Sequence, residues 1–253
     1  MLRLRAATTG LPGEQMIRVF IGYDPREAVA FSVLAFSIFS RASEPVSITP
    51  LALANLRGVF SRERDPLQST DFAFTRFLTP YLSGYEGWSL FLDCDMLVLD
   101  DVAALWRLRD ERCAVQVVQH DHRPRETVKF LGQPQSTYAK KNWSSVMLMN
   151  NARCRALTPE YVNRATGLEL HQFKWLGNDA LIGTLPRRWN HLVGYDPPAT
   201  EVSLVHFTLG GPYFSDYTDC EFADRWRAEH ARMVHVDQAR APAPKGVSRA
   251  TTG

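Results

Sequence analysis

Apolar residues fall along this chain in short dense runs separated by Gly, Pro and acidic punctuation, the pattern expected of strands alternating with helices. Ile17 to Ile21 (IRVFI) predicts a buried strand that runs through Gly22 into Asp-Pro-Arg-Glu. There Asp24 can cap a helix, Pro25 suits its first position and Glu27 stands three residues beyond the cap. The helix continues through AVAFSVLAFSIFSR, and Val46 to Leu51 predicts a second strand. Strand, helix and strand at this spacing form a parallel unit. Thr70 to Leu82 (TDFAFTRFLTPYL) spaces its apolar residues three and four apart, which predicts an amphipathic helix interrupted at Pro80. Trp88 to Leu92 (WSLFL) reads as a strand buried on both faces and Met96 to Leu99 as another, with Asp101 capping the helix VAALWRL. Further strands are predicted at 114–118, 146–149 and 202–206, the last ending on His206. The fold expected is α/β, in one unit from about Met16 to Val236. Residues 16–101 form a nucleotide-binding half and 102–236 a loop-rich, acceptor-side half, with disordered ends at 1–15 and 237–253.

Composition narrows the function. With 45% hydrophobic and 22% charged residues the chain can build a core. Net charge is +2, but Arg240, Lys245 and Arg249 supply three positive charges with no acid, and residues 1–15 supply a net one, leaving the body near −2. That balance argues against a general nucleic-acid surface. Four scattered cysteines without a Cys-x-x-Cys pair point to reduced thiols. No run reaches the ~18 to 20 apolar residues of a membrane span, and no signal-type apolar core precedes residue 16. The expectation is a cytoplasmic protein, with peripheral contact at the inner membrane face through the basic tail as a further option.

The densest chemistry lies at FLDCDMLVLDD, residues 91–101. In an extended segment residues two apart point the same way, so Asp93 and Asp95 aim at one place while Cys94 faces the other side. Two like charges held together call for a cation between them, and hard oxygen donors suit Mn2+ or Mg2+. The ends of strands in open α/β sheets are where ligands bind. Asp100 and Asp101 are expected to serve as caps.

An apolar strand, Asp-x-Asp, a second short strand, an acid and a helix ending in Leu-Trp together resemble the metal site of GT-A glycosyltransferases. The likeness is greatest to glycosyltransferase family 8, retaining enzymes of the glycogenin and bacterial lipopolysaccharide galactosyltransferase type, and it spans most of residues 16–214. It implies a Rossmann-like half whose mixed, mostly parallel sheet continues into the acceptor side. It also implies a UDP-sugar donor, a divalent metal, a sugar, glycolipid or protein acceptor, and front-face displacement with retention. By the same resemblance Gly22, Tyr23 and Asp24 hold the base, with Tyr23 stacking and Asp24 accepting from it. Arg76, in TRFLTPYL, contacts the nucleotide or orients an aspartate. Asp93, Cys94 and Asp95 belong to the donor-binding segment. Ser145, in NWSSVMLMN, lines the sugar pocket, although Trp143 and Ser145 stand where the family has Asn and Gly. Asp179, with Asn178 beside it in WLGNDALIG, contacts the transferred sugar. In VHFTLGGPYF, His206 is the third metal ligand and Gly210 and Gly211 bring backbone N–H groups to the diphosphate, Gly211 standing where the family often has Lys. Three rivals remain open: a non-catalytic donor- or glycan-binding protein of the same fold, a haloacid-dehalogenase-type phosphatase, which also uses Asp-x-Asp after a strand, and a nucleotidyltransferase.

Overall fold

The computed structural model describes residues 16–65, 68–121, 126, 128–134 and 138–235, so the expected disordered ends lie outside the described residues. Strand β1 (Ile17–Gly22), helix α1 (Ala28–Arg41) and β2 (Val46–Leu51) make the first parallel unit, with Ile17 opposite Val46 and Gly22 opposite Leu51. A short 3-10 turn, Pro25–Glu27, precedes α1, and the Asp24 side chain caps it by accepting from the N–H of Arg26. Strand β3 (Trp88–Leu92) lies on the other side of β1 and is buried at all five positions, which accounts for its uninterrupted apolar sequence.

Among the described residues the principal sheet has the order β2-β1-β3-β8-β5-β9, with β5 at Val115–Val117, β8 at Val146–Asn150 and β9 at Ile182–Thr184. The pairs β1/β2, β1/β3 and β5/β9 are parallel, whereas β3/β8 and β5/β8 are antiparallel. One mixed, mostly parallel sheet therefore crosses from the first half of the chain into the second. A smaller sheet joins β4 (Met96–Val98) to β11 (Leu204–His206) and β10 (His191–Leu192). A two-stranded hairpin, β6 (Val128–Lys129) and β7 (Gln133–Pro134), stands apart from both.

Helix α3 (Val102–Trp106) starts where Asp101 accepts from the N–H of Ala103. The segment 70–82 departs from expectation. Its chain runs through a 3-10 helix, Thr75–Leu78, and then one turn of α-helix, α2 (Thr79–Leu82). Phe72 to Pro80 are buried without interruption, so no solvent-facing stripe is left to favour a straight amphipathic helix. The second half is more helical than its sequence suggests. It contains α4 (Pro159–Arg164), α5 (Gly167–His171), which starts with a Thr166/Glu169 capping box, and α6 (Ala223–Val234). Helix α6 packs on α1, where both carboxylate oxygens of the buried Glu229 accept from Arg41 at 2.9 and 2.7 Å. No helix among the described residues is long and apolar enough to cross a membrane.

Candidate active site

Two backbone pairings build the site. Strand β3 ends at Leu92, and the next N–H, that of Asp93, donates to the carbonyl of Ser145 at 3.0 Å. Two residues on, β4 pairs antiparallel with β11 so that Met96 faces His206, and the N–H of Phe207 donates to the carbonyl of Asp95 at 2.9 Å. Residues far apart in the chain are thereby held side by side by main-chain hydrogen bonds, independently of side-chain chemistry. As a result Asp93, Asp95 and His206 converge, with one ligand atom from each lying within 4.8 Å of the others. All three residues are buried.

The electrostatics of this cluster are those of carboxylates brought together without full hydrogen bonding. Oδ1 of Asp93 and Oδ1 of Asp95 are buried and accept no hydrogen bond. Arg76 Nη1 lies 2.7 Å from Asp93 Oδ1 as an ion pair, and the same nitrogen donates to the carbonyl of Ser144 at 2.9 Å. Arg76 is itself buried over the rings of Phe72 and Phe91, with Nε donating to the carbonyl of Ala73. Burial pushes the Asp93 carboxyl up to about 6, against the pull of Arg76. Burial also opposes ionisation of Asp95, but a proton between it and His206 Nε2, together with the charge of Lys129, outweighs burial and holds its carboxyl below the usual range.

Asn190, fully buried, sets the histidine. Its Nδ2 donates to Ser145 Oγ at 2.9 Å and more distantly, at 3.3 Å, to the carbonyl of Asn142, so its Oδ1 is left to accept from His206 Nδ1 at 3.0 Å. With the proton on Nδ1, the lone pair of Nε2 faces Asp95 Oδ1 at 3.4 Å. Only a proton or a cation between those two atoms makes the approach favourable. An O, O, N donor set whose two carboxylate oxygens accept no hydrogen bond fits Mn2+ or Mg2+.

The cluster opens into a cavity of about 380 Å³, whose walls include Arg76, Lys129, Lys141, Ser144, Ser145 and His171. His171 is held neutral, well below its usual pKa, by burial and by nearby Arg76, and its Nδ1 lies 2.8 Å from Ser144 Oγ.

With the fold and this geometry established, relatives can be compared. The chain is 45% identical over 237 residues to Protein CDI of Arabidopsis thaliana, an alignment covering 90% of this chain and 91% of that protein. It belongs to the Protein CDI family. No protein-family model matches the sequence. Among solved structures, this CDI-family chain shares its fold with the galactosyltransferase LgtC, solved with donor and acceptor sugar analogues. The TM-score there is 0.53 at 16% identity, over 88% of this chain and 98% of LgtC. It also resembles the bifunctional glycosyltransferase WbbM (TM-score 0.56, 15% identity, 88% of this chain) and GlyE of Streptococcus pneumoniae TIGR4 (TM-score 0.58, 12% identity, 86% of this chain). The chain spans half the length of WbbM and 60% of GlyE. The fold is GT-A-like.

The CDI-family chain brings Arg76, Asp93, Asp95, Ser145 and His206 to one cavity, and leaves the other residues anticipated from sequence outside it. Asp24 is fully buried and both its oxygens are engaged, Oδ1 by Arg26 N and Nε and Oδ2 by Arg26 Nη2 and the N–H of Asp71. It is a cap, with no lone pair turned to a nucleotide base. Tyr23 packs edge-on against Phe31. Gly22 lies against Phe72, whose ring occupies the place of a Cβ. Cys94 faces the core, its Sγ 3.9 Å from Glu27 Oε2. Asp179 is 73% exposed and paired with Lys140 Nζ at 2.6 Å, and Asn178 caps the short 3-10 helix that begins at Asp179. Gly210 and Gly211 do not border the cavity, because the space a Cβ would need is filled by Tyr217 and Tyr213 respectively. Sequence reasoning missed Asn190, Lys129, Lys141 and His171. Lys141 directly precedes the anticipated Asn142 segment, the one local signal any of them carried.

Proposed function

We propose that the chain is a metal-dependent glycosyltransferase of the family 8 type, taking a hexosyl group from a nucleotide sugar, most simply a UDP-sugar, and passing it to a sugar-bearing acceptor with retention. The observation that carries this reading is the convergence of Asp93, Asp95 and His206, with two buried carboxylate oxygens that accept no hydrogen bond, on the wall of a cavity in a GT-A-like fold. Asp95 and His206 would hold the ion directly, and Asp93 would hold it or the ribose. When bound, a divalent ion supplies Lewis-acid stabilisation of the charge that grows on a departing diphosphate.

The chain's own residues prepare the site for that charge. Asn190 keeps the proton of His206 on Nδ1, so Nε2 is free to ligate. Arg76 holds Asp93 ionised against burial and fixes the Ser144 carbonyl at the cavity wall. Ser145 bridges Asn190 and the carbonyl of Asn142, its Oγ donating to the latter at 2.6 Å, which ties the wall to the metal-side histidine.

Screening sugar nucleotides for Mn2+-dependent turnover tests the reading. Wild type should release nucleoside diphosphate from at least one donor, and Asp95→Ala should abolish it. Equal turnover by Asp95→Ala in excess Mn2+ sinks the assignment. The exposed Asp179, outside the cavity, favours a second reading, donor binding without transfer. Thermal stabilisation by UDP and Mn2+, with no glycosylated product from any donor and acceptor tried, is the outcome that selects it.

A further inference from the structure

Once an ion is assigned to Asp93, Asp95 and His206, three cationic side chains still border the same cavity: Arg76, Lys129 and Lys141. Arg76 is already committed to Asp93 and to two carbonyls. Among the described residues neither lysine forms an ion pair with an acid. Lys129 Nζ stands 5.6 Å from the ring of Phe130, and Lys141 Nζ stands 4.9 Å from the ring of Tyr138. Burial, reinforced by the nearby charges of Lys129 and Arg76, pushes Lys141 down to about 7. A cluster of partly desolvated cations that repel one another is unfavourable unless an anion enters among them.

Charge selects the kind of ligand. Among the described lining residues Arg76 is already paired with Asp93, which leaves Lys129 and Lys141 on the cavity wall beside the proposed ion. Two lysines next to a divalent ion favour an anionic group such as the diphosphate of a sugar nucleotide.

The fold explains how Lys129 gets there. The N–H of Phe130 donates to the carbonyl of Leu209 at 2.9 Å, and its ring stacks on Phe214 with centroids 4.9 Å apart. At Gly210, with φ 146°, an added Cβ would stand 3.1 Å from Phe130 Cβ and 2.6 Å from the Tyr217 ring. The glycine turn after His206 is therefore a seat for the β6–β7 hairpin, and the hairpin carries the cation.

Resting on the glycosyltransferase reading above, we propose that Lys129 and Lys141 form the clamp for the donor's diphosphate, Lys129 taking the place of the lysine absent at Gly211. The hairpin and the segment before Ser144 thus grip, from a middle stretch of the chain, what the metal grips from the ends of β3 and β11. Stability of the clamp does not depend on the identity of the sugar, because both lysines address phosphate oxygens.

Calorimetric titration of UDP and, separately, of inorganic pyrophosphate, each with saturating Mn2+, tests this in wild type, Lys129→Met, Lys141→Met and Lys129→Arg. Losing one charged contact should weaken both probes by about 10- to 100-fold in the Met variants. Lys129→Arg should recover most of that loss, and Mn2+ affinity measured by electron paramagnetic resonance should not fall in any variant. Methionine retains the aliphatic stem, and an unchanged melting temperature certifies the fold. If wild type binds Mn2+ and UDP while both Met variants bind equally well, the clamp is wrong and the glycosyltransferase reading survives. If wild type binds neither probe, that reading falls and the clamp falls with it.

Discussion

Replacing Asn190 with Ala tests how the metal site is oriented. Asn190 touches no substrate and lies fully buried behind the histidine, so its effect must pass through hydrogen bonds. In Asn190→Ala, Ser145 Oγ still donates to the carbonyl of Asn142, so only the Nδ1–H of His206 is stranded. One stranded buried donor costs about 1–3 kcal/mol, within the roughly 5–15 kcal/mol stability of a domain, so the variant should fold with a lowered Tm. The larger effect falls on the metal. Without its acceptor, His206 can move its proton to Nε2, the atom that must ligate, and loss of such an outer partner weakens metal binding about 10- to 100-fold. Asn190→Asp keeps an acceptor for Nδ1 and should retain Mn2+ affinity better than Asn190→Ala, although it loses the donor to Ser145. Titration of Mn2+ followed by the resonance of the free ion reads this directly. Mn2+ affinity in Asn190→Ala equal to wild type would refute the role given to Asn190 and, with it, the Nε2-ligating histidine.

Two further perturbations probe the surroundings of the site. Burial and the nearby charge of Asp95 raise Glu27 to about 8, so the native state keeps a proton that the unfolded chain releases near 4.5. The metal-free protein should therefore lose stability as pH rises from about 4.5 through 8. Glu27→Gln should melt with wild type at pH 4 and above it at pH 9; coincident melting curves at pH 9 would count against a protonated Glu27. In Gly22→Ala the new Cβ would lie 2.3 to 2.8 Å from three ring atoms of the buried Phe72. Overpacking at such a place costs about 1–3 kcal/mol, visible as a lower urea midpoint, and an unchanged midpoint would show that Phe72 moves freely.

Strands β1, β3, β4 and β11 were legible because each is buried on both faces, so its sequence is a dense apolar run whose end is marked by the first polar residue. Asp93 and His206 are those first or last polar positions, which is why their convergence at strand ends could be anticipated. Asp179 shows where local pattern fails. Phe173 and Gly177, both in left-handed conformations at φ 58° and 67°, bracket a 3-10 turn that redirects the chain, and Asp179 emerges exposed beside Lys140. Segment 70–82 misled for the opposite reason. Its three- and four-residue spacing is real, but burial on every side removes the water-facing surface that gives such spacing its meaning.

The amino-acid sequence by itself determined the α/β class, the capping of α3 and of the turn that leads into α1, and the placement of paired carboxylates at a strand end. These follow from interactions within a few residues of each other: periodicity, turn chemistry and the alternation of side chains along a strand. Only the tertiary structure decided that Asn190 stands behind His206, that Asp24 is spent on Arg26 and Asp71, and that Lys129 and Lys141 share a cavity with Asp93 and Asp95. Those groupings join residues far apart in the chain through sheet register and hairpin docking, and the long-range backbone contacts that create them leave no spacing in the sequence by which to read them.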